Sequence, residues 1–269
     1  MAFFKSPDVE GAGVSKNEVK KRGIFEFFIL FRRYYGKLLS AGLMKTLFSI
    51  LIIPSGLGEV GCAKIARCCA RDTHSFSTDF SEAVSKNWKQ ALPMGIINNL
   101  LICLFSFMTY FLFQENNVNK GADTVSFIML ALAFSGLMIA HFISYYSPAV
   151  LLTFNVTLGQ LYKNSFLLAF GGFKRNFIIF FSKIIVLALV FSPMLFDIYV
   201  GFGIGVCLWL LIYPAFSALV TQYNIFPVML KYLIEPFMKS NPGEGQETLR
   251  ELGLIKSDDS EAVMKDEIE

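Results

Sequence analysis

Residues Gln90–Gln114 read QALPMGIINNLLICLFSFMTYFLFQ, a run without one charged residue. A helix rises about 1.5 Å per residue, so about 20 apolar residues cross the roughly 30 Å of hydrocarbon in a bilayer. A helix on the surface of a soluble domain would carry polar residues every turn on its outer face. This run has no such face. Residues 124–162 and 198–230 are uncharged in the same way. The expected fold class is therefore all-α: a polytopic transmembrane helical bundle whose first partner is the lipid bilayer.

Composition agrees. The chain is 54% hydrophobic and 17% charged, where a soluble protein has about 25% charged residues. The five cysteines, Cys62, Cys68, Cys69, Cys103 and Cys207, are odd in number and irregularly spaced, which predicts reduced thiols rather than a disulfide framework. Met1–Arg22 is polar and long for the n-region of a signal peptide, so no cleavable signal is expected.

Three regions follow. Residues 1–22 are an expected disordered N-terminus ending in the basic cluster Lys20-Lys21-Arg22. Residues 23–236 form the membrane domain. Residues 237–269, rich in Asp and Glu, read as an acidic disordered tail. Within the middle region, the apolar Ile24–Phe31 is too short to cross. Arg32-Arg33-Tyr34-Tyr35 follows it and suits a helix lying in the interface. Five spans are expected, at about 38–58, 90–114, 124–147, 176–196 and 198–220. A polar connection, Glu59–Lys89, joins the first two, and Pro148 is expected to divide the third uncharged run.

The chain also echoes itself. Lys86-Asn87 precedes Gly95 and Asn99 at the same spacings by which Lys163-Asn164 precedes Gly172 and Asn176. This suggests a helix-hairpin unit repeated in parallel.

Orientation by the positive-inside rule produces a conflict. The connections before the second and fourth spans hold Lys64, Arg67, Arg71, Lys86, Lys89, Lys163, Lys174 and Arg175, so both should be cytoplasmic. Five crossings then put the N-terminus outside, although it is the most basic part of the chain. Two arrangements remove the conflict. The first span is re-entrant, turning at Pro54-Ser55-Gly56-Leu57-Gly58, or the later loops dominate and the N-terminus is exported. The length of Leu38–Gly58 favours the second.

Few side chains in the spans carry chemistry. Lys45 and Lys183 are expected to extend their ammonium groups toward the nearer interface, with contact to an anionic substrate as the rarer alternative. His141 has Tyr145 and Tyr146 one turn on, and an interhelical hydrogen bond is its expected role. Asn98 and Asn99 are expected to bond between helices. The expected span cores hold no Asp or Glu, which disfavours a proton- or sodium-coupled transporter. Cys62, Cys68, Cys69 and His74 lack zinc-site spacing, so no metal is expected. Gly201-x-x-x-Gly205 and the small residues Ala131, Ser135, Gly136 and Ala140 mark close helix contacts, within the chain or by self-association. No nucleotide loop, catalytic triad or zincin motif is present, so neither an enzyme, a cofactor nor a nucleic-acid partner is expected.

Several motifs together resemble a known family. They are Ile52-Ile53-Pro54, Ala70-Arg71-Asp72-Thr73-His74-Ser75-Phe76, Lys86-Asn87-Trp88-Lys89-Gln90-Ala91-Leu92, Tyr145-Tyr146-Ser147-Pro148 and Leu161-Tyr162-Lys163-Asn164-Ser165-Phe166. The chain from about Gly11 to Pro236 resembles the YesL-like family of bacterial integral membrane proteins. It departs from the family pattern at Ser55-Gly56-Leu57-Gly58. The resemblance implies a multi-pass protein of the bacterial plasma membrane with an accessory role in carbohydrate uptake, docking on an ABC-transporter permease. It carries no site residues. A small autonomous transporter or channel is the alternative, motivated by the echo and the proline-interrupted helices.

Overall fold

A computed structural model describes residues 23–240 apart from 73–77, 119–123 and 155. The expected N-terminal disorder, the expected tail beyond Ser240 and His74 fall outside the described residues, while residues 237–240, expected in the disordered tail, are helical. Among the described residues every regular element is helical. The chain runs α1 (Ile24–Ile50), α2 (Ser55–Ala70), α3 (Thr78–Val118), α4 (Thr124–Thr153), α5 (Leu158–Gly171), α6 (Phe173–Phe191), α7 (Ile198–Met229) and α8 (Glu235–Ser240). A short 3-10 turn precedes α7, and a π turn separates α7 from α8.

Among the described residues four helices are long and apolar enough to cross a membrane: α3, α4, α6 with its 3-10 turn, and α7 continuing to Met238. These four hold the uncharged runs. Many of their large apolar side chains are exposed, as Leu100, Phe107, Phe127, Ile185 and Phe202 illustrate. Such faces are stable only against lipid.

The first expected span is not a span. Its residues 38–58 fold into the end of α1, a turn and the start of α2. Ile52 takes a positive φ of 58° in the turn, and Pro54 lacks the N–H that would continue α1. α2 then runs back along α1, so the two form a re-entrant hairpin. Its tip turns beside α3, with Leu51, Ile52 and Ile53 exposed and Ser55 buried: Asn99 of α3 donates to Ser55 Oγ at 2.7 Å. Asn99 lies fifteen residues before Gln114, so the tip is about 22 Å short of that end of the uncharged run. At the hairpin's base, Arg33 and Tyr34 of α1 both donate to the Asp72 carboxylate just beyond α2. The hydrogen bond to Asp72 raises the Arg33 pKa, and burial with the same contact raises that of Tyr34. The count of expected spans is therefore corrected from five to four plus a hairpin. The charge conflict goes with it. Four crossings place the start of α1 and the end of α7 on one side, together with the basic ends of α2, α3, α5 and α6.

Two further boundaries differ from expectation. No break separates the expected interfacial helix from the residues after it. α1 is continuous from Ile24, and Phe27 packs its edge against Phe216 and Tyr223 of α7 rather than lying flat on the membrane. Pro148 does not end α4. The helix runs on to Thr153, and the chain breaks at the extended Thr157, whose side chain and Gln160 form a capping box for α5.

The echo has a structural counterpart. In each copy the glycine lies against an earlier helix, and the asparagine four residues on bonds to that helix. Gly95 abuts Gly56, and Asn99 bonds Ser55 of α2. Gly172 abuts the Tyr146 hydroxyl, which donates to Asn176 Oδ1 at 2.8 Å. The small-residue motifs are also used within the chain. Gly201 packs on the Pro193 backbone, Gly205 on Phe191 and Gly136 on Phe105.

Candidate functional site

The hairpin delivers a short, small-residue helix into the middle of an apolar bundle. α2 reads SGLGEVGCAKIARCCA, and most of it is buried. Its glycines and alanines allow close approach to α1 and α3. A Cβ on Gly58 would meet Phe48 and Lys45, and one on Gly61 would meet the Phe80 ring. Glu59, Cys62, Ala63 and Ala66 share one face by their helical spacing.

That face borders a cavity of about 250 Å³. α1 contributes Lys45, α3 contributes Ile102, and α4 contributes His141, Ser144, Tyr145 and Pro148. α6 contributes Lys183, and α7 contributes Tyr213, Ser217, Ala218, Thr221 and Gln222. The cavity is thus bordered by the hairpin and all four spans. Its wall is polar where the outer faces of the same helices are apolar. A separate groove of about 680 Å³ between α3 and α4 holds no charged residue.

Three of the five residues singled out from sequence meet here. Lys183, eleven residues into α6, lies roughly 15 Å along it. Its ammonium does not reach back to the interface. It lies 4.3 Å from the centre of the Tyr145 ring, a cation–π contact. The Lys45 ammonium is likewise turned inward, 3.8 Å from Glu59 Oε1. The expectation that these lysines extend to the nearer interface is corrected on both counts. The reason is local: a polar cavity beside each stem offers the ammonium a shorter route than the membrane surface. His141 borders the same cavity, with its ring 6.3 Å from that of Phe180.

Asn98 and Asn99 lie elsewhere. Asn98 is buried, donates to Ser147 Oγ at 2.9 Å and accepts from the Tyr162 hydroxyl at 3.0 Å. It ties α3 to α4 and α5. Asn99 holds the hairpin tip, as described above. Both make the interhelical bonds their position in a span suggests.

Glu59 is the residue that sequence reading missed. It falls in a stretch that reads as a polar connection outside the membrane. Only the four-residue spacing of small side chains along α2 signals that this stretch is packed on several sides. With Glu59 the bundle does hold a carboxylate, supplied by the hairpin rather than by a span.

Comparison of the chain with protein-family models, with curated proteins and with solved structures gives no match. The site must therefore be read on its own chemistry. It offers two ammonium groups, one carboxylate, an imidazole, several hydroxyl groups and one amide around a shared space. Ions held away from bulk water interact strongly, because the surroundings screen them weakly. Such a space suits binding of a small charged solute better than it suits packing.

Proposed function

We propose that the chain is a multi-pass membrane protein that binds an anionic small solute in this cavity and carries it across the bilayer. The observation that carries the reading is Lys183. An ammonium about 15 Å along a spanning helix, against an aromatic face on a cavity wall, is costly to keep unless something makes use of it. Lys45 beside it is partly offset by Glu59, so the lysines and Glu59 leave the cavity one positive charge in excess. The hairpin also supports transport, because its buried second arm brings Glu59 to the cavity wall among the spans. We place the protein in a bacterial plasma membrane, with the basic helix ends in the cytoplasm.

The test is flux. The purified chain in proteoliposomes should take up a labelled member of a panel of small organic anions. Lys183→Gln should lower that uptake about tenfold or more while the variant's melting temperature in detergent stays near that of the parent. Absence of uptake for every anion in the panel would end the transport reading.

The family resemblance supports a second reading, an accessory protein on a carbohydrate ABC-transporter permease. Co-purification from native membranes in mild detergent separates the two. A permease recovered in fixed proportion favours the accessory role, and the chain recovered alone favours autonomous transport. Neither reading assigns a catalytic step to any residue.

A further inference from the structure

Glu59 offers the cavity more than charge. One of its oxygens, Oε1, faces the Lys45 ammonium at 3.8 Å. The other, Oε2, is buried and has no hydrogen-bond partner among the described residues. A buried carboxylate oxygen left without a donor costs free energy. Across the same cavity Lys183 presents three N–H donors and faces the Tyr145 ring. The two groups ask for opposite things: one needs a donor, the other an acceptor.

We propose that the solute is a small hydroxy acid, whose carboxylate sits toward Lys183 and whose hydroxyl donates to Glu59 Oε2. The assignment rests on the anion-binding reading above and narrows it. Charge separates this class from its neighbours. Two lysines and one glutamate leave a single positive charge, which a monoanion neutralises. A zwitterionic amino acid would satisfy Glu59 with its ammonium but leave the charge standing. A simple fatty acid would neutralise the charge but leave Oε2 without a donor. A neutral polyol would do the reverse. Size fits a compact solute, since about 250 Å³ is just below the usual range of drug-sized ligand sites.

The experiment is calorimetric titration of the full chain in detergent with probes of one carbon length. They are butyrate, 3-hydroxybutyrate, threonate, 2-aminobutyrate and erythritol. The parent should bind threonate about tenfold or more tighter than butyrate, because a site built to bond a hydroxyl rejects the analogue lacking it. In Glu59→Gln, which keeps the shape but weakens the acceptor, that ratio should fall about fivefold. Using the ratio cancels the general gain in anion affinity that removing a negative charge brings. Should Glu59→Gln fail to fold, the ratio in the parent and its loss in Glu59→Asp, which withdraws the oxygen by one methylene, decide the matter.

Equal binding of butyrate and threonate overturns the hydroxyl assignment and leaves the anion site standing. A threonate preference that Glu59→Gln does not change also overturns it, with a buried water then the partner of Oε2. Tighter binding of 2-aminobutyrate than of threonate shows an ammonium at Glu59 and overturns the assignment in favour of an amino acid. Failure of all three anions to bind ends the anion-binding reading, and this inference with it.

Discussion

Gly56 and Gly95 meet backbone to backbone: a Cβ on Gly56 would lie 2.8 Å from the Gly95 nitrogen, and one on Gly95 would lie 2.5 Å from the Gly56 Cα. No flexible side chain stands there to give way. This contact seats the tip of the hairpin on α3. Gly56→Ala or Gly95→Ala should each destabilise the bundle by about 1–3 kcal/mol, the usual cost of overpacking. Thermal unfolding in detergent checks this. Gly203→Ala, where a Cβ would meet nothing within 4 Å, should leave the melting temperature unchanged. Equal effects at Gly203 and Gly56 would mean that the hairpin is not seated as described.

A re-entrant hairpin makes the number of crossings even. A cysteine placed at Arg33 and one placed at Lys174 should therefore react with a membrane-impermeant thiol reagent from the same side. One placed at Glu115 should react from the other. Cys103 and Cys207 are exposed on α3 and α7 within the uncharged runs, so replacing them first with serine gives a clean background. Labelling of Arg33 and Lys174 positions from opposite sides would restore five crossings.

The uncharged runs made three of the four spans legible and the apolar stretch around Lys183 the fourth, because crossing hydrocarbon demands length and apolarity and little else. The hairpin was not legible in the same way. Leu38–Gly58 is long enough to span, and hydropathy cannot distinguish a helix that continues from one that turns back. The signal lay in the charges: a basic N-terminus on the wrong side is a bookkeeping failure that only a re-entrant segment or an exception repairs. Lys45, His141 and Lys183 were each visible as polar residues in apolar surroundings. Their convergence was not, since it depends on the rotation of three helices about their axes. Glu59 was hidden by its company, because Lys64, Arg67 and Arg71 made its helix read as solvent-exposed.

The turn itself is strained. Ile52 holds a φ of 58°, a region that β-branched residues avoid, while its side chain is exposed and packs on little. Ile52→Gly removes the clash between Cβ and backbone at small loss of packing. It should stabilise the protein by about 1 kcal/mol, read as a higher melting temperature. A lower one would show that Ile52 is held by lipid or packing contacts worth more than the strain.

Asn98 joins three helices through Ser147 and Tyr162, and its burial makes the bonds sensitive to removal of either end. Such bonds between membrane helices average about 0.6 kcal/mol and reach about 1.7, so single deletions are poor guides to their worth. A double-mutant cycle of Asn98→Ala with Ser147→Ala isolates the pair. The expected coupling is about 0.5–1.5 kcal/mol, measured by thermal or denaturant unfolding in mixed micelles. Tyr162→Phe should couple to Asn98→Ala with the same sign, because its hydroxyl donates to the other end of the same amide. Asn98→Ala should leave anion binding within about twofold, since neither Asn98 nor Ser147 borders the cavity. A loss of binding larger than the loss of stability would mean that the α3–α4 contact sets the shape of the site.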